Sequence, residues 1–212
     1  MKRITILVLY SKQWHEIAKI VLRNLSDYVD RHKLVLVTYE YDEWGSDYGY
    51  RKIEQIKELF AVQSTEFIWS LDLDAIITDM RKNVLEFLDD YHDFWICEDV
   101  NGINAGSFII RKGSWADYFC DFILDQKGKE KMYCEQDAIK KYMSKIQDDP
   151  QIKILGHPSI NSVMYKYYPE FPSHVGRKDL GDWVEGESFV LHLAAMGMEQ
   201  RLEIFKNTPI IK

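Results

Sequence analysis

From Ile4 to Tyr10 every residue except Thr5 is apolar or aromatic, which predicts a short buried strand. From Glu16 to Asp30, Ile17, Ile20, Val21, Leu25 and Val29 recur at helical spacing. Leu34 to Tyr39 predicts a second strand. Arg51 to Val62 predicts a second helix, with Ile53, Ile56, Leu59 and Phe60 on one face. Phe67 to Leu71, apolar apart from Ser70, predicts a third strand. This β-α-β-α-β order predicts a parallel sheet built by crossover helices. Further on, Phe94 to Cys97, Ser107 to Ile110, Ile152 to Leu155 and Phe189 to His192 read as strands, and Trp115 to Leu124 and Gln136 to Met143 as helices. No Pro- or Ser-rich linker interrupts the pattern and no repeat is visible, so residues 1–212 read as one α/β domain with a mostly parallel central sheet flanked by helices. The loop from Glu40 to Tyr50 is polar, aromatic and punctuated by glycine; a mobile flap and a plain surface loop are both open readings.

The third strand ends in two carboxylates, Asp72 and Asp74. Residues two apart on an extended chain point the same way, and where the backbone turns both can converge on one cation. A hard divalent ion such as Mg²⁺ or Mn²⁺ takes oxygen ligands, phosphate oxygens included. Open α/β sheets bind ligands at the carboxyl ends of their strands. The pair thus predicts a metal–diphosphate site, against the bland alternative of a solvated turn.

Composition narrows the partners. A net charge of −7 argues against a nucleic-acid backbone, which needs clustered Lys and Arg. No apolar run has the length of a membrane span. The N-terminal strand lacks a signal-peptide cleavage pattern, and Cys97, Cys120 and Cys134 have no metal-ligand spacing, so free thiols in the cytoplasm, not a secreted protein, are expected. The 13 Tyr and 6 Trp supply flat faces for bases or sugars, or simply an aromatic-rich core.

Three features follow the acidic pair. Asn104-Ala105-Gly106 reads as a small-residue turn before a strand, from which the Asn104 amide can meet a hydroxylated ligand. Glu135-Gln136-Asp137-Ala138 stands at a helix start, where an acidic residue ordinarily caps. His192 closes a late apolar strand; an imidazole there is usually structural, but it is also a common third ligand beside two carboxylates on Mn²⁺.

In this order, strand-Asp-x-Asp, Asn-Ala-Gly before a strand, Glu-Gln-Asp-Ala opening a helix and a late strand ending in His, the chain resembles the GT-A glycosyltransferases. It is most similar in pattern to the retaining galactosyl/xylosyl/mannosyltransferase family (GMA12/MNN10-like) of the yeast and plant Golgi. A second resemblance is to the N-terminal glycosyltransferase domains of chlorella-virus capsid-glycosylating proteins. The departures are Glu135 where the family usually has Asp, Gly197 further past His192 than the family pattern places it, and no stretch matching the Golgi enzymes' anchor and stem.

The resemblance implies a single-domain GT-A, Rossmann-like fold, with a nucleotide-binding half over about 1–100 and a donor-sugar and acceptor half over about 101–212. It implies transfer from a nucleotide sugar, UDP-linked by preference, to a glycan or glycoprotein, with retention. Asp74 and His192 would hold Mn²⁺ or Mg²⁺, and Asp72 the metal or the nucleotide ribose. Asn104, Glu135 and Gln136 would hold the donor sugar and stabilise its oxocarbenium-like charge. Tyr10 would border the base, and Lys52, at a helix start, would reach the diphosphate. The implied protein is a monomer or a domain of a larger polypeptide, acting in the cytoplasm, that of the host cell if the chain is viral.

Two other classes stay open. A haloacid-dehalogenase-type phosphatase would use Asp72 as nucleophile and Asp74 as acid/base, with Asp179-Leu180-Gly181-Asp182 as a later acidic motif, although that enzyme class carries its pair on the first strand. The other is a non-catalytic module that binds sugar nucleotides or glycans.

Overall fold

The structure, a computed structural model, describes residues 2–43, 45, 47–129, 134–156 and 159–212. Strands β1 (Ile4–Ser11), β2 (Val35–Tyr41) and β3 (Phe67–Leu71) alternate with helices α1 (His15–His32) and α2 (Tyr48–Val62). Short β4 (Ala75–Ile77) follows, then β5 (Phe94–Asp99), β6 (Gly102–Arg111), α3 (Ser114–Leu124), α4 (Glu135–Lys145), β7 (Ile152–Leu155), β8 (Val190–His192) and α5 (Met198–Asn207). The main sheet runs β2-β1-β3-β6-β5-β7. Every neighbouring pair is parallel except those β6 makes with β3 and β5, so one strand of six runs against the rest. This is the mixed α/β, mostly parallel sheet expected from the pattern.

The continuous apolar runs of β1 and β3 are explained by cores on both faces. Ile4, Ile6 and Val8 join Phe67, Trp69 and α1 on one side; Leu7, Leu9 and Ile68 join α2, α3 and α4 on the other. Edge strand β2 alternates and is largely solvated.

The structure differs from the sequence pattern at four places. The strand expected at Ser107 starts at Gly102, so Asn104-Ala105-Gly106 is strand and not turn. The register against β5 jumps there, from Ile96 opposite Phe108 to Cys97 opposite Asn104, while Gly106 O accepts a hydrogen bond from Asp72 N at 2.8 Å. A bulge absorbs the small residues within the sheet. Second, α2 begins at Tyr48, which leaves Lys52 in its second turn rather than at its start. Of the loop before it, Trp44 and Ser46 lie outside the described residues. Third, β8 does not join the main sheet. It pairs antiparallel with β4 in a small second sheet, Ala75 opposite His192. Fourth, β4 and α5 are additions to the sequence reading; α5 packs on α1.

Candidate active site

The acidic pair stands in the turn between β3 and β4. Ala75 N donates to Asp72 O at 3.1 Å and Leu193 N to Asp74 O at 2.8 Å, which lashes this turn to the end of β8. Pairing of β4 with β8 therefore brings His192 beside Asp74: Nε2 lies 3.2 Å from Asp74 Oδ1. One ligand atom from each of Asp72, Asp74 and His192 falls within 4.8 Å of the others. Two carboxylates and an imidazole form a donor set that suits Mn²⁺ or Mg²⁺, so the residues present fit the expected ion.

Glycine makes this approach possible. A Cβ on Gly106 would stand 2.2 Å from His192 Cε1, so the imidazole occupies the space a larger residue would need. Behind the ring, Nδ1 is 3.1 Å from Asn161 Oδ1. An amide oxygen only accepts, so Nδ1 carries a proton; Nε2 donates to Asp74 when the ring is doubly protonated and offers its lone pair to a cation when the ring is neutral.

Lys52 is buried in the floor of the site. Its Nζ donates to Glu135 Oε1 at 2.8 Å and Ala105 O at 3.1 Å. It also forms an ion pair with Asp72 Oδ1 at 2.7 Å. The ammonium thus bridges two of the expected site residues. Gly49 gives Glu135 its room: a Cβ there would meet the carboxylate at 1.5 Å. Gln136 accepts from Ala105 N at 2.9 Å, and Asn104 donates to Asp99 Oδ2 at 2.6 Å while accepting from Gly106 N at 2.8 Å. Glu135, Gln136, Lys52 and Asp72 are therefore drawn together by α2, α4, β6 and the β3–β4 turn, while the Asn104 amide is engaged by Asp99 and Gly106. Glu135 is the first residue of α4, and its carboxylate is engaged by Lys52.

Electrostatics separates the two aspartates. Burial pushes the Asp72 carboxyl up, aided by the negative Asp74 and Glu135, against the pull of Lys52. Burial acts upward on Asp74 too, but His192 and Arg201 outweigh it and hold that carboxyl low. For His192, burial favours the neutral ring, yet the two aspartates raise its pKa. For Lys52, burial is overcome by Asp72 and Glu135, and the ammonium stays charged.

Beside the pair lies a cavity of about 180 Å³ lined by Trp14, Ile17, Tyr48, Asp72, Leu73, Asp74 and Arg201. It is smaller than the roughly 300–1,000 Å³ that encloses a drug-sized ligand, so it has room for only part of a larger one. Tyr10 is packed in the core and does not line this cavity; among the described residues its aromatic walls are Trp14 and Tyr48. Trp14, Asn161 and Arg201 escaped the sequence reading. An aromatic, an amide and a helical arginine carry no local signal, and only the fold collects them.

The Asp179-to-Asp182 segment serves elsewhere. Asp182 accepts from Tyr165 N at 2.8 Å and Gly176 N at 2.6 Å, and Asp179 pairs with Arg177 at 2.8 Å. Its carboxylates are engaged by backbone N–H groups and by Arg177, which removes the motif from the phosphatase alternative.

Comparison with known proteins places the chain in a family. Residues 3–92 and 85–200 match the galactosyl transferase GMA12/MNN10 family. The chain is 26% identical over 162 residues to an uncharacterised alpha-1,2-galactosyltransferase of Schizosaccharomyces pombe, covering 56% of this chain and 43% of that protein. It is 25% identical over 174 residues to a probable alpha-1,6-mannosyltransferase of Saccharomyces cerevisiae, covering 61% and 43%. The chain thus spans less than half the length of these curated relatives. Its fold is shared with a glycosyltransferase involved in glycosylation of the major capsid of PBCV-1 (TM-score 0.71, 16% identity, 95% of this chain and 98% of that one). It is also shared with galactosyltransferase LgtC, solved with donor and acceptor sugar analogs (TM-score 0.61, 10% identity, 98% and 97%).

Proposed function

The chain belongs to the galactosyl transferase GMA12/MNN10 family of glycosyltransferases, and from that premise we propose that it moves a sugar from a nucleotide-diphosphate sugar to a glycan or glycoprotein, in a reaction that needs a divalent cation. UDP is the favoured nucleotide. The observation that carries the proposal is the convergence of Asp72, Asp74 and His192 from distant parts of the chain beside a cavity.

In this reading Asp74 and His192 hold Mn²⁺ or Mg²⁺, with Asp72 on the metal or the ribose. The cation supplies Lewis-acid neutralisation of charge on the departing diphosphate. Trp14 and Tyr48 wall the nucleotide side. Glu135, Gln136 and Asn104 border the donor sugar, where a carboxylate stabilises positive charge growing at the anomeric carbon. Lys52 pairs with Glu135 and Asp72 and holds both carboxylates in place, a different task from contacting phosphate. Retention is inherited from the family, with attack on the face from which the nucleotide leaves. Residues of about 1–100 serve mainly the nucleotide and 101–212 mainly the sugars. The cytoplasm suits three free thiols, two of them buried; among the described residues no helix is long and apolar enough to cross a membrane.

A thermal-shift panel of nucleotide sugars, with and without Mn²⁺, tests the proposal. A true donor raises the melting temperature only with the cation. Calorimetry giving equal UDP affinity in EDTA and in Mn²⁺ would remove the cation from the reading, and phosphate release from small phosphomonoesters would favour a phosphatase.

A further inference from the structure

We propose that Arg201, on α5, is a positioning residue that presents Asp74 to the cation through a single oxygen; this rests on the metal-dependent reading above. The carboxylate of Asp74 is divided between two partners. Oδ1 faces His192 Nε2 at 3.2 Å, and Oδ2 meets Arg201 Nη2 at 2.7 Å. An ion shared by Asp74 and His192 belongs on the Oδ1 side, so the guanidinium takes the oxygen the ion does not use.

Arg201 is fixed for this task. Its Nε donates to Leu193 O at 3.0 Å, and its guanidinium carbon stands 5.0 Å from the centre of the Trp14 ring. The side chain is buried beside the cavity, held by a backbone carbonyl, an indole face and the carboxylate. A planar fork with several donors can make these contacts together, which a lysine cannot. Asp74 is also tied through its carbonyl to Leu193 N, so the residue that receives Arg201 Nε is the one that anchors the metal-side turn. The strand pairing, the helix and the ligand carboxylate form one closed set of contacts. Without Arg201 the carboxylate is free to rotate and to chelate with both oxygens or to turn toward His192, and an ordered single-oxygen ligand is lost.

The opposing view is that Arg201 competes with the ion, because a cation stands beside a cation site. The two views predict opposite signs. Free Mn²⁺ is measured by electron paramagnetic resonance during titration of wild type and R201M, with melting temperature in EDTA recorded on the same samples. Positioning predicts Mn²⁺ affinity weakened roughly ten- to a hundredfold in R201M, the range seen when partners of metal ligands are removed. Sugar-donor hydrolysis should then show a raised apparent KM for Mn²⁺, with kcat recovered at saturating metal. R201K should fall between the two, since it keeps the charge and loses the fork; if R201M does not fold, a several-fold loss in R201K carries the same meaning. Unchanged or tighter Mn²⁺ binding in either folded variant overturns the proposal. A wild-type protein that binds no Mn²⁺ overturns it together with the metal-dependent reading, whereas normal wild-type binding with unaltered variants overturns this inference alone.

Discussion

The imidazole of His192 occupies the space that a side chain at Gly106 would fill: a Cβ there would lie 2.2 Å from Cε1. The late strand can reach the acidic turn only because β6 carries no side chain at this point. G106A should displace the ring, weaken Mn²⁺ binding at least about tenfold and lower stability by about 1–3 kcal/mol, as overpacking does. Mn²⁺ titration and urea unfolding of the variant check both effects; a variant with wild-type metal affinity would show that His192 does not need its present position.

Lys52 is buried between Asp72 and Glu135. K52M removes the ammonium that pairs with both and should cost about 3–5 kcal/mol, the usual penalty for leaving a buried charge uncompensated. Urea unfolding in EDTA measures it. A loss under about 1 kcal/mol would mean that water already reaches these carboxylates.

D74N should abolish sugar transfer, because an amide cannot replace a charged metal ligand. It should also destabilise the metal-free fold, since His192 and Arg201 both pair with that carboxylate. Turnover at saturating Mn²⁺ is the deciding measurement, and near-normal activity would reduce the acidic pair to a structural turn. D72N should also be severe.

E135Q separates binding from chemistry. The amide keeps the shape and a contact for Lys52 but not the negative charge. Catalytic participation predicts kcat down roughly a hundredfold with UDP affinity little changed. A lower melting point with unaltered kcat would leave Glu135 as a partner of Lys52 alone.

Away from the site, Asp89 supplies a pH test. Burial pushes its carboxyl up, but Lys153, His92 and the backbone N–H groups of Tyr91 and His92 outweigh burial and hold it well below the usual carboxylate range. Its native pKa is thus depressed below the unfolded value of about 3.9, so it stabilises the fold above that pH, and the contribution is lost as pH falls toward the native pKa. D89N should cost about 2 kcal/mol at pH 7, and the gap from wild type should close as the pH drops below about 4. A gap that stays constant from pH 7 to pH 2 would rule out the charge as its origin.

Much of this protein was determined by the local sequence. The apolar runs of β1 and β3 placed the strands, because a strand covered on both faces must be apolar throughout. The carboxylates of Asp72 and Asp74 announced themselves because two charges directly after such a run have no packing role. Helices α1 and α2 were legible from their apolar stripes. What decided the site was long-range. Three-residue β4 is too short for periodicity to reveal, yet its pairing with β8 delivers His192. Asn104 looked like a turn residue because Asn and Gly favour turns, and only the bulged register of β6 against β5 makes it strand. Lys52 read as a residue at a helix start that reaches a diphosphate; it is buried because β6 and α4 bring Ala105 and Glu135 over it. Arg201 and Asn161 gave no local signal at all. A hydrogen-bond donor or acceptor acquires its role from the group it faces, and those partners are set by strand pairing and helix packing across the whole chain.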